Sequence, residues 1–156
     1  MNTENNLYIE DINSLIDTSI SHIENMGKGE INGQTTGLVS LDNQTDGFNA
    51  GELIVIGARP AIGKTSFIIN TVLANIEKNC GVLYFSLDMH KTQIMLRLMS
   101  LKTKIPLYNI RSGNLNQEQA KLLTQEFNNL RDKKLFIDDS KNITIDQLEF
   151  KVKKII

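Results

Sequence analysis

The spacing of apolar residues along the chain predicts helices that alternate with short strands. Apolar residues at intervals of three and four, the spacing typical of helices packed on one face, occur in five segments: 9–26, 63–78, 91–103, 116–130 and 144–156. Short runs rich in β-branched and aromatic residues, bounded by turn residues, predict buried strands at 52–57, 82–87 and 135–138. This alternation predicts an α/β fold with a mostly parallel sheet.

The first helix is predicted to stand apart from the rest of the domain. Six apolar residues form one stripe along it: Ile12, Leu15, Ile16, Ile20, Ile23 and Met26. The sequence that follows, "GKGEINGQTTG" at 27–37, is rich in Gly, Asn and Thr and predicts a flexible connector. We therefore divide the chain into a helix and connector at 1–32 and an α/β domain at 33–156. The stripe packs either on its own domain or on a partner, and the pattern does not decide between them.

Local signals at the later helices support these assignments. Asn116 with Gln119, and Thr144 with Gln147, have the spacing of a capping box at a helix start. Helical spacing assigns the methionines of "IMLRLM" to the core rather than to a binding surface. Leu122, Leu123, Phe127 and Leu130 are predicted to be buried on the helix at 116–130.

Composition narrows the class of protein. With a net charge of −1, the 156-residue chain carries no global signal of nucleic-acid binding. The single Cys80 rules out an internal disulfide or a cysteine-based metal cluster and is expected to be a buried thiol. No stretch has the length and apolarity of a membrane span, and the first residues are not those of a signal peptide. These features predict a protein of the reducing cytoplasm, without membrane partners.

A phosphate-binding loop is predicted between the first strand and the second helix. "GARPAIGKT" at 57–65 leads from an apolar run through a turn to a helix start, where backbone N–H groups converge on an anion. Ala58 stands where the general pattern has its first glycine, which is tolerable if its φ is negative. Lys64 is expected to reach the β- and γ-phosphates, and the Thr65 hydroxyl to bind Mg²⁺. The predicted nucleotide-binding residues are Ala58, Arg59, Pro60, Ala61, Ile62, Gly63, Lys64, Thr65 and Ser66.

Several motifs together resemble one family. The lead-in "TTGLVSLDNQTDGFNAGELIVIG" resembles that of RecA-like ATPases. "ARPAIGKTSF", "LYFSLDMHKTQIMLRLMS" and "IPLYNIRSGNLNQEQAKLL" resemble the motor domain of DnaB-type replicative DNA helicases, in which alanine is usual at position 58. The resemblance extends from about residue 9 to the end, and its first helix resembles the linker helix that packs on the adjacent subunit of a hexamer. It implies a RecA-like P-loop NTPase core, present in part.

This resemblance implies an activity and assigns residues to it. Family members are ring hexamers that hydrolyse ATP with Mg²⁺ and translocate on single-stranded DNA, usually 5′ to 3′. Lys64 and Asp88 are then the catalytic residues, with Asp88 in "FSLDM" at the position of the glutamate that activates water. Because its side chain is one methylene shorter, we expect a slow base. The alternative for Asp88 is a strand-end residue that caps the next helix.

Other polar residues are left with open assignments. "LFIDD" looks like a Walker B motif, but the family's motif order places the true Walker B strand after Ile156. Asp138 and Asp139 are therefore expected to be a decoy, with support of Mg²⁺ as the alternative. Arg59 faces either phosphate or solvent, Arg97 is expected to be a solvated or packing residue, and His22 and His90 are too isolated to be ligands.

Three functions compete at this point. The chain is either the ATP-binding part of a hexameric helicase, or a catalytically incomplete module that docks through helix 9–26 into a helicase ring and regulates it. A small-molecule kinase or recombinase-type ATPase fits less well, since no lid insert is present and "ARPAIGKT" followed by "FSLDM" differs from recombinases. Apolar faces meant for further strands are expected to stay uncovered, which favours low stability or self-association.

Overall fold

The computed structural model describes residues 11–26 and 31–155. Within them the chain forms helices and strands in the order α1 Ile12–Met26, α2 Val39–Thr45, α3 Lys64–Glu77, β1 Val82–Phe85, α4 Lys91–Thr103, α5 Leu107–Ser112, α6 Gln117–Asn129, β2 Leu135–Asp138 and α7 Ile145–Ile155. The long helices match their sequence predictions to within three residues at each end. The short helices α2 and α5 were not predicted, because six or seven residues are too few to show a helical period.

Strands β1 and β2 form a parallel pair, with Val82 beside Leu135 and Phe85 beside Asp138. A parallel pair needs a crossover connection, which α4, α5 and α6 provide. Both strands therefore end at the same edge, and the turn after β1 lies beside the residues that follow β2. This arrangement confirms the predicted α/β class with parallel pairing.

The predicted strand at 52–57 is wrong for this structure. The run is irregular, and Leu53 and Val55 are 91% and 83% exposed. A strand forms only beside a hydrogen-bonding partner, and within the described residues no backbone group pairs with positions 53–57. The apolar, β-branched composition is that of a buried strand, so the prediction failed for lack of a neighbour rather than for lack of propensity.

The core lies between α3 and α4 and extends to α5 and α6. Its fully or nearly buried members are Ile69, Val72, Leu73, Ile76, Ile94, Leu98, Met99, Ile105 and Ile110. Met99 confirms that the methionine-containing segment belongs to the core. On α6, Leu123, Phe127 and Leu130 pack against this cluster, whereas Leu122 is 38% exposed, so its predicted burial is wrong. Cys80 is half-buried rather than fully buried.

Both predicted capping boxes are present. At the start of α6, Asn116 accepts from the backbone N–H of Gln119 at 2.8 Å while the Gln119 side chain accepts from the backbone N–H of Asn116 at 3.2 Å. Thr144 and Gln147 exchange the same two bonds before α7, at 3.2 and 3.3 Å. These reciprocal bonds satisfy backbone donors that a helix start leaves open.

The second half of the predicted connector is firmly attached rather than loose. Three side chains of α3 bind successive carbonyls of the lead-in: Asn75 that of Thr35 at 2.8 Å, Thr71 that of Thr36 at 2.6 Å and Asn70 that of Gly37 at 3.0 Å. Gly37 has φ +84, and a Cβ there would lie 2.3 Å from the Asn70 amide nitrogen. These three hydrogen bonds therefore attach residues 35–37 to α3, the helix that begins at the phosphate loop.

A buried carboxylate completes this lead-in. Asp42 accepts from the Thr35 hydroxyl at 2.5 Å and from the backbone N–H of Thr36 at 2.7 Å. Burial raises the pKa of Asp42, but the hydrogen bonds from Thr35 and Thr36, helped by the charge of Lys78, outweigh it and hold the pKa below its usual value. The carboxylate thus stays ionised and fixes the turn before α2.

The apolar stripe of α1 is not covered by its own domain. Ile12, Leu15, Ile16, Ile20 and Ile23 are 46–66% exposed. The stripe is therefore available to a partner, and docking on a partner stays a prediction. The assignment of residues 1–32 as a separate unit stays a prediction, and much of its connector lies outside the described residues.

We predict that the uncovered run at 52–56 drives self-association. Replacing Leu53 and Val55 together with lysine should weaken association at least about tenfold, because both side chains would otherwise bury apolar surface between copies. Sedimentation velocity over a range of concentrations measures this. The melting temperature should hardly change, since both side chains are already exposed in one copy.

Tyr108→Lys serves as the control for that pair. Tyr108 is 75% exposed on α5, away from the run, so this variant should associate like the unmodified chain. An unmodified chain that stays monomeric at every concentration would contradict the prediction.

Candidate nucleotide-binding site

The start of α3 has the geometry of an anion cradle. Gly63 caps the helix with φ 110, and Ala61 in the preceding turn has φ 65. The backbone N–H of Phe67 already donates to the Gly63 carbonyl at 2.9 Å, so the N–H groups before it are the ones free to face a ligand. A Cβ built on Gly63 would meet nothing within 4 Å, and the space that a phosphate would need is open. The residues present therefore fit a nucleotide.

Ala58 is compatible with this turn, as expected. Its φ lies outside the left-handed region, which instead is occupied by Ala61 and Gly63. The position where the general pattern has its first glycine thus makes no conformational demand here.

A cleft of about 490 Å³ surrounds the cradle and brings most predicted residues together. Its lining consists of Ala58, Arg59, Pro60, Ala61, Gly63, Lys64, Thr65, Ser66, Asp88 and Arg97. Among the nine predicted binding residues, Ile62 is missing from this lining, and its side chain is 73% exposed. Asp88 belongs to the turn after β1 and lies more than twenty residues further along the chain than the phosphate loop.

The charges of the cleft suit a polyphosphate with a metal ion. Arg59, Lys64 and Arg97 are cationic and Asp88 is anionic, and within the described part of the chain none of the four makes an ion pair with another protein group. Groups of three or more metal-binding side chains do not occur among the described residues. A metal ion at this site would therefore be held by phosphate oxygens and the Thr65 hydroxyl, the ligation that Mg²⁺ favours.

The turn that carries Asp88 is closed by Ser86. The Ser86 hydroxyl donates to the Met89 carbonyl at 2.6 Å and accepts from the Met89 N–H at 3.1 Å. The helix α4 is capped by His90, whose Nδ1 accepts from the backbone N–H of Thr92 at 3.3 Å. The alternative assignment of Asp88 as the helix cap is therefore wrong, and its carboxylate is left to face the cleft.

Asp139 and His90 hold the other end of this turn. The Asp139 carboxylate accepts from the backbone N–H of Lys91 at 3.0 Å and lies 3.3 Å from His90 Nε2. The hydrogen bond from Lys91, together with the charges of Lys91 and His90, lowers the pKa of Asp139. His90 thus has a structural role that its isolation in the sequence did not suggest. The side chain of His22 lies outside the described residues.

Asp138 is likewise engaged away from the cleft. Its carboxylate binds Lys151 of α7 and accepts from the backbone N–H of Ser140 at 2.8 Å. The hydrogen bond from Lys151, followed by those from Ser140, lowers the pKa of Asp138 to about 2. Neither Asp138 nor Asp139 lines the cleft, which supports the assignment of this pair as a decoy.

The Asp138–Lys151 contact predicts an acid-sensitive attachment of α7. Since the folded-state pKa of Asp138 lies below its ordinary value, its contribution is full above about pH 4 and disappears as the pH falls toward 2. Asp138→Asn should lower the free energy of unfolding at pH 7 by about 1 kcal/mol, a figure reduced because both side chains are partly exposed. Urea unfolding between pH 2 and 7 measures the difference.

Asp132→Asn is the matched control for this variant. Asp132 is exposed and makes no ion pair with the described residues, so its removal should change stability little at any pH. The prediction fails if the Asp138→Asn deficit persists unchanged at pH 2.

Arg97 is a cleft residue for which the sequence predicted no role in the site. It lies on the second turn of α4, where helical spacing alone suggested a solvated or packing side chain. Because α4 packs against α3, that position faces the phosphate loop and lines the cleft. The available signal was the position of Arg97 nine residues after Asp88, on the helix that follows the predicted base.

Comparison with known proteins places the chain in a family. Residues 33–156 match the model of the DnaB-like helicase C terminal domain. The chain belongs to this DnaB-like family. The match begins at the lead-in described above and includes both the phosphate loop and the turn that carries Asp88.

Individual DnaB-like relatives agree with this assignment. The replicative DNA helicase DnaB of Helicobacter pylori is 42% identical over 134 residues, which cover 85% of this chain and 28% of the relative. That of Buchnera aphidicola is 35% identical over 161 residues and covers 99% of this chain and 34% of the relative. The chain thus spans about 28% to 34% of the length of these two curated relatives.

Solved structures confirm the RecA-like ATPase fold. One solved ATPase domain superposes with a TM-score of 0.84 at 23% identity, covering 94% of this chain and 52% of that one. A DnaB-like replicative helicase, studied with its interactions with primase, superposes with a TM-score of 0.82 and covers 94% of this chain and 35% of that one. At this identity the likeness establishes the fold alone. No helix within 11–26 or 31–155 has the length and apolarity needed to cross a membrane.

Proposed function

We propose that this chain is the ATP-binding part of a DnaB-like hexameric replicative helicase, which unwinds duplex DNA while moving 5′ to 3′ on a single strand. The observation that carries the proposal is the cleft at the start of α3, in which Lys64, Thr65 and Asp88 converge on an open cradle at Gly63. Family membership supports ATP as the nucleotide, Mg²⁺ as the metal, single-stranded DNA as the partner and the cytoplasm as the compartment.

The residues divide the chemistry among them. The N–H groups at the start of α3 and the Lys64 ammonium hold the phosphates, and the Thr65 hydroxyl contributes to Mg²⁺ binding. Bound Mg²⁺ supplies charge neutralisation on the phosphate oxygens. Asp88 accepts a proton from the attacking water, and Ser86 fixes the turn that aims Asp88 at the cleft.

Hydrolysis by this chain alone is expected to be slow. The described residues that line the cleft contain one carboxylate, Asp88, whose side chain is one methylene shorter than the glutamate that family members use. DNA-stimulated ATP hydrolysis by the purified 156 residues tests this. A trace activity that vanishes in Lys64→Ala is the expected result, and robust turnover would contradict the expectation of a slow base.

A second function is supported by the exposed stripe of α1. With Ile12, Ile16 and Ile23 uncovered, this helix has a face ready for a neighbouring subunit, either of a homo-hexamer or of an intact helicase. A catalytically incomplete subunit inserted in this way would regulate the ring. Addition of the chain to an intact DnaB helicase should then lower unwinding.

An α1 variant separates docking from nonspecific inhibition. Ile16→Lys with Ile20→Lys should abolish co-purification and inhibition together, because both residues lie in the middle of the exposed stripe. Asp17→Lys, on the polar side of the same helix, also introduces a lysine and should retain both. Absence of co-purification and of inhibition by the unmodified chain would dismiss this second function.

A further inference from the structure

Backbone hydrogen bonds fix the turn that carries Asp88 to the sheet at its first end. There the backbone N–H of Ser86 donates to the Asp138 carbonyl at 2.8 Å. Within the described part of the chain, no backbone group of the next four residues pairs with the segment after β2. Among their side chains Met89 packs against the core, whereas Asp88 is exposed. The position of Asp88 therefore depends on how the other end of the turn is held.

Asp139 holds that other end through its side chain. Its Oδ2 accepts from the backbone N–H of Lys91 at 3.0 Å and lies 3.3 Å from His90 Nε2, while Oδ1 lies 3.5 Å from Lys91 Nζ. The Asp139 side chain is 17% exposed, against 63% for His90 and 60% for Lys91, so the carboxylate is the better anchored partner. Asp139 comes 48 residues after Lys91 and directly follows β2, so these contacts attach the turn to a second strand.

The bond to Lys91 lies at the start of α4, where a carboxylate is favoured. The first N–H groups of a helix have no partner within the helix. His90 accepts from that of Thr92 at 3.3 Å, and Asp139 accepts from that of Lys91. The negative charge of Asp139 also interacts favourably with the positive end of the helix dipole. The start of α4 is thereby held at the end of β2, three residues after Asp88.

We propose that Asp139 is a positioning residue for Asp88, an inference that rests on the proposed function. By accepting from the Lys91 N–H it fixes where the turn ends, and together with Ser86 at the start of the turn it holds the Asp88 carboxylate in the phosphate cleft. Asp139 does not line that cleft, so it acts through the turn rather than on the nucleotide. Because displacement of a reacting group by about 1 Å can lower a rate on the order of 100-fold, a looser turn affects hydrolysis more than nucleotide binding.

Single-turnover hydrolysis of radiolabelled ATP tests this role, at a temperature where circular dichroism shows every variant to be folded. Asp139→Ala removes the bond to Lys91 and should lower the rate about tenfold, while the Kd for MgATP stays within about threefold. Asp139→Asn keeps an oxygen that accepts from the same N–H and should retain the rate within about threefold. Asp138→Ala is the matched control: it removes the neighbouring carboxylate, which binds Lys151 of α7 instead, and should leave the rate unchanged.

A double-mutant cycle with Asp88 separates positioning from a general loss of structure. If Asp139 acts through the Asp88 carboxylate, Asp139→Ala should lower the rate less than about twofold once Asp88→Asn has removed that carboxylate. Damage to the fold would instead lower the rate by the same factor in both backgrounds.

The outcomes distinguish this role from the function beneath it. The positioning role is overturned, with nucleotide binding intact, by an unchanged rate in Asp139→Ala, by equal losses in Asp139→Ala and Asp139→Asn, or by equal losses in the two backgrounds of the cycle. An Asp88→Asn variant that hydrolyses ATP at the original rate overturns it as well. Failure of the unmodified chain to bind or hydrolyse MgATP overturns the proposed function and this role with it.

Discussion

Replacing Lys64 with alanine should raise the Kd for MgATP about 10- to 100-fold. Lys64 begins α3 beside the open cradle and has no protein counter-ion among the described residues, so its ammonium is available to the phosphates. Loss of a hydrogen bond to a charged group costs roughly 1.5–3 kcal/mol, which corresponds to that range of affinity. Competition against a fluorescent nucleotide analogue measures the change.

The folded state should be unaffected by this replacement. Lys64 is exposed, and alanine is a better helix former than lysine. Lys121→Ala, an exposed lysine on α6 that makes no ion pair with the described residues, is the control and should bind MgATP like the unmodified chain. Unchanged affinity in Lys64→Ala would mean that the nucleotide binds elsewhere.

Asp88 should control the chemical step with little effect on binding. Asp88→Asn removes the proton acceptor and should lower the single-turnover rate of hydrolysis about 100-fold. Asp88→Glu extends the carboxylate by one methylene, about 1 Å, and should raise the rate by as much as about 100-fold if the aspartate lies short of the attacking water. Radiolabelled ATP followed over hours gives sufficient sensitivity for slow turnover.

Affinity for MgATP distinguishes this role from a structural one. The Kd should stay within about threefold in both variants, because Asp88 faces the cleft and makes no hydrogen bond that holds the turn, which Ser86 closes. Asp132→Glu adds a methylene at an exposed position and should alter neither quantity. An Asp88→Asn variant that hydrolyses ATP at the original rate would remove Asp88 from the mechanism.

Those parts of the fold that depend on local contacts could be predicted from the sequence. The helices at 64–77, 91–103 and 117–129 each pack a periodic face against a neighbour within the chain, and the side-chain caps of the last two are encoded within four residues. The run at 52–57 shows the limit of that reasoning. Its residues have strand propensity, but strand formation depends on a neighbour, and composition alone cannot report whether a neighbour is in place.

The candidate site likewise contains residues that a contiguous motif predicts and residues whose roles depend on contacts between elements. The phosphate loop is a contiguous motif, so eight of its nine predicted residues line the cleft. The assignment of Asp88 to the site rested on a family resemblance, and the structure places Asp88 in the same cleft. Arg97 and His90 act through contacts between elements, of α4 with α3 and of α4 with the residues after β2, and no single segment records those contacts.

The most direct test of the cradle at the start of α3 is a titration of the ¹⁵N-labelled chain with MgATP, followed by the backbone amide resonances. We predict that the amides of Gly63, Lys64, Thr65 and Ser66 shift the most and saturate together, since their N–H groups lie at the open start of α3, where the phosphates would bind. Correctly folded chain whose amides at 63–66 stay unchanged at saturating MgATP would contradict the account.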